Sequence, residues 1–274
     1  MTFTPEHWSA AAPRYDQRVG HMDLIAVSRL IDRASTLHPF SPPSSCVLDL
    51  GAGTGNVTFD LESRYPSTKI VAVDYSSAML AAFSKKAAHI PSVTTKNMDA
   101  AEIEKEFGPE KFTHVFSTFM LQYTPSPQEV LHQIYTTLKP GGVVALGMWS
   151  KNNGPIVVWT ETCAEVKAEH QVPHPHEKMA WMEAHELEDA LKKEGFTNVE
   201  SEILPLNFGC KSTADLMKFW YESDNPVPKK LNEAWVTDGG SLEGIRKTHE
   251  KVTKERYDDA KAIVIEAVLV TAKK

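Results

Sequence analysis

Apolar runs alternate with helix-patterned segments across residues 46–150, and this alternation constrains the fold more than any other feature. Residues 46–50, 69–74, 93–98, 112–116 and 143–148 read as strands, and 56–65, 77–88 and 128–138 as helices. Several of the runs are apolar almost throughout, as expected of strands buried on both faces. Strands separated by helices build parallel βαβ units, so the expected fold is an α/β sheet covered on both sides.

The flanking segments read differently. Leu24, Ile25, Val27, Leu30, Ile31, Ala34 and Leu37 recur at helical spacing and predict a mostly helical first 40 residues, closed by the Pro39, Pro42, Pro43 cluster. Residues 151–185 read as an irregular or helical insertion, 185–194 as a helix stopped by Gly195, and 199–204 as a strand. Residues 212–256 read as helices interrupted near 225–228 and 239–240, and 262–270 as a last strand.

Composition excludes some function classes. The chain of 274 residues carries a net charge of −7, and its basic residues are scattered, in nothing denser than pairs such as Lys85-Lys86 and Lys192-Lys193. A nucleic-acid binder concentrates Lys and Arg into a stripe that displaces counterions, so a small-molecule partner is expected instead. No run approaches the roughly 18 apolar residues of a membrane span, and the first 20 residues lack a secretory pattern. Cys46, Cys163 and Cys210 form no CxxC pair and read as reduced thiols of a cytoplasmic protein.

Between the first predicted strand and helix stands Asp49-Leu50-Gly51-Ala52-Gly53-Thr54-Gly55. Glycines are needed where backbone turns sharply or a ligand approaches too closely for a Cβ, and the following helix offers free N–H groups. Asn56 stands where a dinucleotide site places its third glycine, which disfavours a nicotinamide cofactor. Asp74 ends the second strand, where its carboxylate can engage two vicinal hydroxyls or merely face solvent. Met98, Asp99 and Ala100 follow the third strand, Phe116-Ser117-Thr118-Phe119 closes the fourth, and Leu138-Lys139-Pro140-Gly141-Gly142 precedes the fifth.

An acid two residues before GxGxG, with the other elements in this order, resembles the class I S-adenosylmethionine-dependent methyltransferases, in their small-molecule, ubiquinone- and secondary-metabolite-type branch. The resemblance spans residues 46–150 and rests on Asp49, Gly51, Ala52, Gly53, Gly55, Asp74, Asp99 and the LKPGG turn. It implies a Rossmann-like sheet of seven strands, mostly parallel, the last antiparallel and inserted between the fifth and sixth. It also implies S-adenosylmethionine as cofactor. Asp74 would accept from the ribose hydroxyls with Tyr75 beside it, and Asp99 from the adenine amino group, with Met98 and Ala100 covering the ring. Phe116 and Phe119 would line the cofactor, and the LKPGG turn would end a helix. The expected organisation is one domain over 1–274: an N-terminal helical cap (1–45), a cofactor core (46–150), cap insertions (151–185 and 205–256) and the last strand (257–274).

A sulfonium methyl is already activated, so positioning and exclusion of water are the main demands on the protein. In similar enzymes an aromatic-bearing first helix closes over the cofactor, and Tyr15 is the expected closing residue. Gln122, Trp149, Trp181 and Trp220 are candidates for the acceptor wall. No acid–base pair stands out; His174, His176 and His21 are the only candidates for a general base, and no metal site is expected. The expected reaction is methyl transfer to oxygen, nitrogen or carbon of a metabolite. The alternative keeps the fold and cofactor but performs a cyclisation or elimination.

Overall fold

The computed structural model describes residues 3–16, 21–41, 43–166, 179–257 and 263–274. Seven strands form one sheet in the order β3-β2-β1-β4-β5-β7-β6. They are β1 (Cys46–Leu50), β2 (Lys69–Asp74), β3 (Val93–Asn97), β4 (Phe112–Thr118), β5 (Leu138–Asn153), β6 (Thr197–Asn207) and β7 (Val264–Lys273). β1 to β5 pair in parallel, and β7 runs antiparallel between β5 and β6. The chain winds outward from β1 to β3 and then returns to β4 beside β1, opening a crevice at the carboxyl ends of these two strands.

Eleven helices belong to the described residues. These are α1 (Pro5–Ala11), α2 (His21–Leu37), α3 (Asn56–Arg64), α4 (Ser77–Ala87), α5 (Ile103–Phe107), α6 (Pro127–Thr137), α7 (Gly154–Val166), α8 (Ala184–Glu194), α9 (Thr213–Glu222), α10 (Pro226–Thr237) and α11 (Leu242–Tyr257). Alternate β5 residues serve opposite layers: Val143 and Ala145 pack with α2 and α3, while Val144, Leu146 and Met148 pack with α6 and α8. Burial on both faces is why β1 and residues 143–149 of β5 are largely apolar, while β4, buried as fully, interleaves Val115 and Phe116 with Thr113, His114 and Ser117. The edge strands β3 and β6 are half exposed and carry charge, which discourages pairing with other chains. A third core, built from Ile156, Trp159, Cys163, Trp220, Leu231, Trp235 and Ile245, joins α7, α9, α10 and α11 into a cap.

Two sequence expectations change here. The LKPGG segment does not end α6 through its glycines: α6 stops at Thr137, and Leu138 already pairs with Phe112 at the start of β5. Proline disfavours helical backbone at the residue before it, which turns the chain extended, and the shift from Leu138 to Val143 absorbs Gly141 as an irregularity. The buried stripe of α2 is also rotated. Met22, Asp23, Ala26, Val27, Leu30, Ile31 and Ala34 face the core, whereas Leu24 and Ile25 are 47% and 58% exposed.

Two histidines are sealed inside. His114 lies between Phe40 and the His38 carbonyl, and His249 inside the cap beside Trp159, Trp220 and Tyr221. Burial pushes them down to about 4 and about 3, respectively. A base depressed by folding contributes stability above its unfolded value that is lost as pH falls toward the folded value. Buried Asp23 and Asp49, raised to about 7, act in the opposite sense, since the native state holds their protons where the unfolded chain does not. The four therefore largely cancel between roughly pH 4 and 6.5. Removing one histidine breaks the balance. In His249→Phe, stability relative to wild type should improve by ~2 kcal/mol between pH 7 and pH 5, as read by denaturant unfolding. An equal difference at the two pH values would mean that His249 is charged in the fold.

Candidate active site

A cavity of ≈ 320 Å³ opens at the carboxyl ends of β1, β2 and β4. Gly51, Gly53, Asp74, Tyr75, Met98, Asp99, Ala100 and Phe119 all line it. The loop after β1 is held by Gly51 and Ala52 N–H donating to the Val73 carbonyl at 2.8 and 2.9 Å, and by Gly55 N–H donating to Ala52. Its glycines answer different demands. Gly53 has φ +53° and open space where a Cβ would stand, on the cavity side. Gly55 has φ +104°, and a Cβ there would overlap Phe59 and stand 2.8 Å from Phe83. The first leaves room for a ligand; the second lets α3 and α4 close behind the loop.

Asp74 is held rigidly. Oδ2 accepts from Gly53 N–H and Oδ1 from Ser76 N–H, each at 2.8 Å. Burial raises its pKa while these backbone donors pull it back, and each oxygen retains a further lone pair. Asp99 caps a short helical turn, Oδ1 accepting from Ala101 N–H at 2.9 Å. Asp49 lies behind the cavity rather than on its wall. Its Oδ2 accepts from the Thr58 hydroxyl at 2.6 Å and the Thr58 N–H at 3.2 Å, tying the end of β1 to α3. Ala52 and Gly55 likewise shape the loop from behind, and Phe116 is wholly buried in the core.

A second, smaller chamber of ≈ 70 Å³ adjoins the first and shares Trp8, Tyr15, Phe119 and Tyr123 with it. Phe119 forms the partition. It adopts φ +55°, a left-handed conformation costly for a bulky residue, and its ring stacks on Trp149 at 3.8 Å. Behind that stack, Gln122 Oε1 accepts from Trp149 N–H at 2.7 Å, so Gln122 braces the wall and lies outside both linings. Trp149 and Trp220 line the small chamber with Met22, Ile156, Phe208 and Phe219. Trp181 does not: it packs on the opposite layer of the sheet, against the α6–α8 core. His174 and His176 lie outside the described residues, as does the side chain of His21 at the start of α2. No cluster of potential metal ligands is found among the described residues.

The N-terminal segment roofs the site. α1 packs on α4 through Ala11, Ala12 and Met79, and Ser9 meets Ser76 hydroxyl to hydroxyl at 2.9 Å. Asp16 bridges the glycine loop and α4, accepting from the Thr54 hydroxyl and from Lys86. Tyr15 touches both chambers, and its hydroxyl donates to Asp23 Oδ2 at 3.3 Å. Met79, Met120 and Tyr123 also belong to the larger lining and were not singled out from the sequence. Asp23 was also overlooked, although it stands on the buried stripe of α2, four residues before Val27 and seven before Leu30.

The larger cavity suits an adenine nucleoside with a cationic end. It offers a fixed carboxylate for vicinal hydroxyls, open space above Gly53, a second acid, and apolar Met79, Met98 and Ala100 for a flat ring. Residues 47–142 match the family model described as a methyltransferase domain. Trans-aconitate 2-methyltransferase of Variovorax paradoxus is 30% identical over 42% of this chain and 42% of the relative. Malonyl-(acyl-carrier protein) O-methyltransferase 1 of Coxiella burnetii is 28% identical over 76% of this chain and 66% of the relative. The chain thus matches under two thirds of either relative's length. In fold it is similar to Haemonchus contortus phosphoethanolamine N-methyltransferase 2, solved with phosphomonomethylethanolamine and S-adenosylhomocysteine. That likeness has a TM-score of 0.55 at 22% identity and covers 90% of this chain and 52% of the other.

Proposed function

We propose that this chain, a member of the class I S-adenosylmethionine-dependent methyltransferases, transfers the cofactor's methyl group to a small neutral acceptor seated in the aromatic chamber. The carrying observation is the shared wall: Trp8, Tyr15, Phe119 and Tyr123 border both cavities, so a donor in one faces an acceptor in the other. On this reading 46–150 is the cofactor core, and the described parts of 1–45, 151–166 and 205–256 supply the cover. Residues 167–178 of the expected insertion lie outside the described residues, and Trp181 packs on the other layer.

Asp74 holds the ribose hydroxyls, Asp99 the adenine amino group, and Met79, Met98 and Ala100 the ring faces. Asp49, Ala52 and Gly55 act one layer back by fixing the loop. Phe116 supports the end of β4 from the core. The cofactor supplies an activated methyl on a sulfonium. The protein's share is alignment and exclusion of water, through Phe119 at the junction and the α1 roof. Aromatic faces beside the junction also suit a cationic centre.

The described lining of the small chamber contains no Lys or Arg. A phosphate or carboxylate acceptor would therefore be desolvated there without a counter-ion, which favours a neutral and largely apolar metabolite. The same absence, with the net charge of −7, argues against nucleic acid. Free Cys46, Cys163 and Cys210 suit a reducing compartment such as the cytoplasm, and no described helix is long and apolar enough to cross a membrane.

The test is calorimetric titration with S-adenosylmethionine and, separately, NADH, followed by an acceptor screen for S-adenosylhomocysteine release. Micromolar binding of S-adenosylmethionine alone, with release driven by neutral aromatic or alicyclic acceptors, is expected. Binding of NADH instead would overturn the cofactor assignment. Turnover confined to polyanionic acceptors would overturn the acceptor class.

A further inference from the structure

A methyltransferase that modifies an acidic hydroxyl or a protonated amine must dispose of one proton, and neither chamber presents a histidine among its described lining. Of the two phenols common to both chambers, one is paired with a buried acid. Tyr15 touches both cavities and donates to Asp23 Oδ2 at 3.3 Å. Tyr123, the other phenol on the shared wall, has no hydrogen bond to a carboxylate among the described residues.

Asp23 is an unusual residue for its place. It is 5% exposed, on a helix face otherwise made of Met22, Ala26, Val27, Leu30 and Ile31. Its Oδ1 has no hydrogen-bond partner, and no ion pair holds it among the described residues. A buried carboxylate left this way is costly, and a structural role would be served as well by an apolar residue. Among the described residues, the groups that face it are the Tyr15 and Tyr123 phenols and the Asp16 carboxylate. Burial and, to a lesser degree, Asp16 raise its pKa to about 7, against the hydrogen bond from Tyr15. A proton acceptor works best when its pKa lies near the working pH.

We infer that Tyr15 and Asp23 form the proton-accepting pair of this site, and that the acceptor is an O–H or N–H nucleophile rather than carbon. As the bond from the acceptor atom to the methyl carbon forms, the methyl–sulfur bond breaks and the sulfur keeps its electron pair. The acceptor's proton passes to the Tyr15 oxygen while the Tyr15 proton passes to Asp23 Oδ2. Charge balances: sulfonium and carboxylate are consumed, and thioether and carboxylic acid are left. Tyr15 is the catalytic residue of the pair, because it borders both chambers, and Asp23 is the positioning residue acting through it.

This rests on the methyltransferase reading, so the experiment separates the two. Carboxyl-carbon NMR of aspartate-labelled free protein is expected to show the Asp23 carboxyl, identified by its loss in Asp23→Asn, titrating near neutrality and shifted in Tyr15→Phe. S-adenosylmethionine binding by Asp23→Asn should remain within a few-fold of wild type; its absence from wild type as well would instead sink the cofactor reading. With a series of phenols from phenol to the more acidic 4-nitrophenol, Asp23→Asn should cost ~100-fold in kcat/KM for phenol. The loss should shrink steadily as acceptor acidity rises, and the acid limb of the wild-type pH profile should vanish. An Asp23 carboxyl titrating in the ordinary carboxylate range overturns the inference. So does an equal loss across the series, or methylation of carbon nucleophiles alone.

Discussion

In Asp74→Ala, S-adenosylmethionine affinity is expected to fall by roughly 100- to 10,000-fold. The range follows from two charge-assisted hydrogen bonds to vicinal hydroxyls, worth about 1.5–3 kcal/mol each. A second loss adds to it, since Gly53 and Ser76 N–H both lose their acceptor and the glycine loop loses one of its anchors to β2. Asp74→Asn separates the contributions. The amide keeps one carbonyl oxygen for one backbone donor but presents an NH₂ where the other stood, so affinity should lie between wild type and the alanine variant. Calorimetry gives the affinities, and circular dichroism at the same temperature checks that the sheet is intact. Affinity for Asp74→Ala within threefold of wild type would mean that the ribose is held elsewhere.

The sheet and much of the larger cavity's lining were legible in the sequence because each rests on a local pattern. β1, β4 and β5 are buried on both faces and are rich in apolar residues, and β1 and β4 are each followed by residues that line the cavity. Asp74 ends β2, and Gly53 and Asp99 sit just past the ends of β1 and β3, where position in the chain dictates position in space. The smaller chamber has no such pattern. Met22, Phe119, Trp149, Phe208 and Trp220 come from five distant segments, and only tertiary packing brings them together. Trp181 and Trp149 look alike as residues, yet the path of the chain after β5 sends Trp181 to the other layer. For α2 the signal was present but misread. Leu24 and Ile25 suggested one buried stripe, while the true one runs through Asp23, whose charge hid it from a hydrophobic count.

Trp159→Ala should have the second large effect, on the cap rather than on the cofactor. Trp159 is fully buried on α7, its ring stacked 5.2 Å from Trp220 and set edge-on to Trp235 at 6.5 Å and to His249 at 5.6 Å. Truncating a buried tryptophan costs about 3–5 kcal/mol, because transfer and cavity contributions add. The indole N–H of Trp159 has no hydrogen-bond partner among the described residues, so its removal also relieves one desolvated donor. The loss should therefore fall near ~3 kcal/mol, measured by denaturant unfolding. Trp220 carries the consequence to function, since it lines the smaller chamber, proposed to seat the acceptor, and leans on Trp159. Acceptor KM should rise while S-adenosylmethionine affinity changes little, because α7, α9, α10 and α11 contribute nothing to the described lining of the larger cavity. An equal fall in both affinities would make cap and cofactor core one cooperative unit. A selective rise in acceptor KM makes the aromatic cap the element that sets which molecule is methylated.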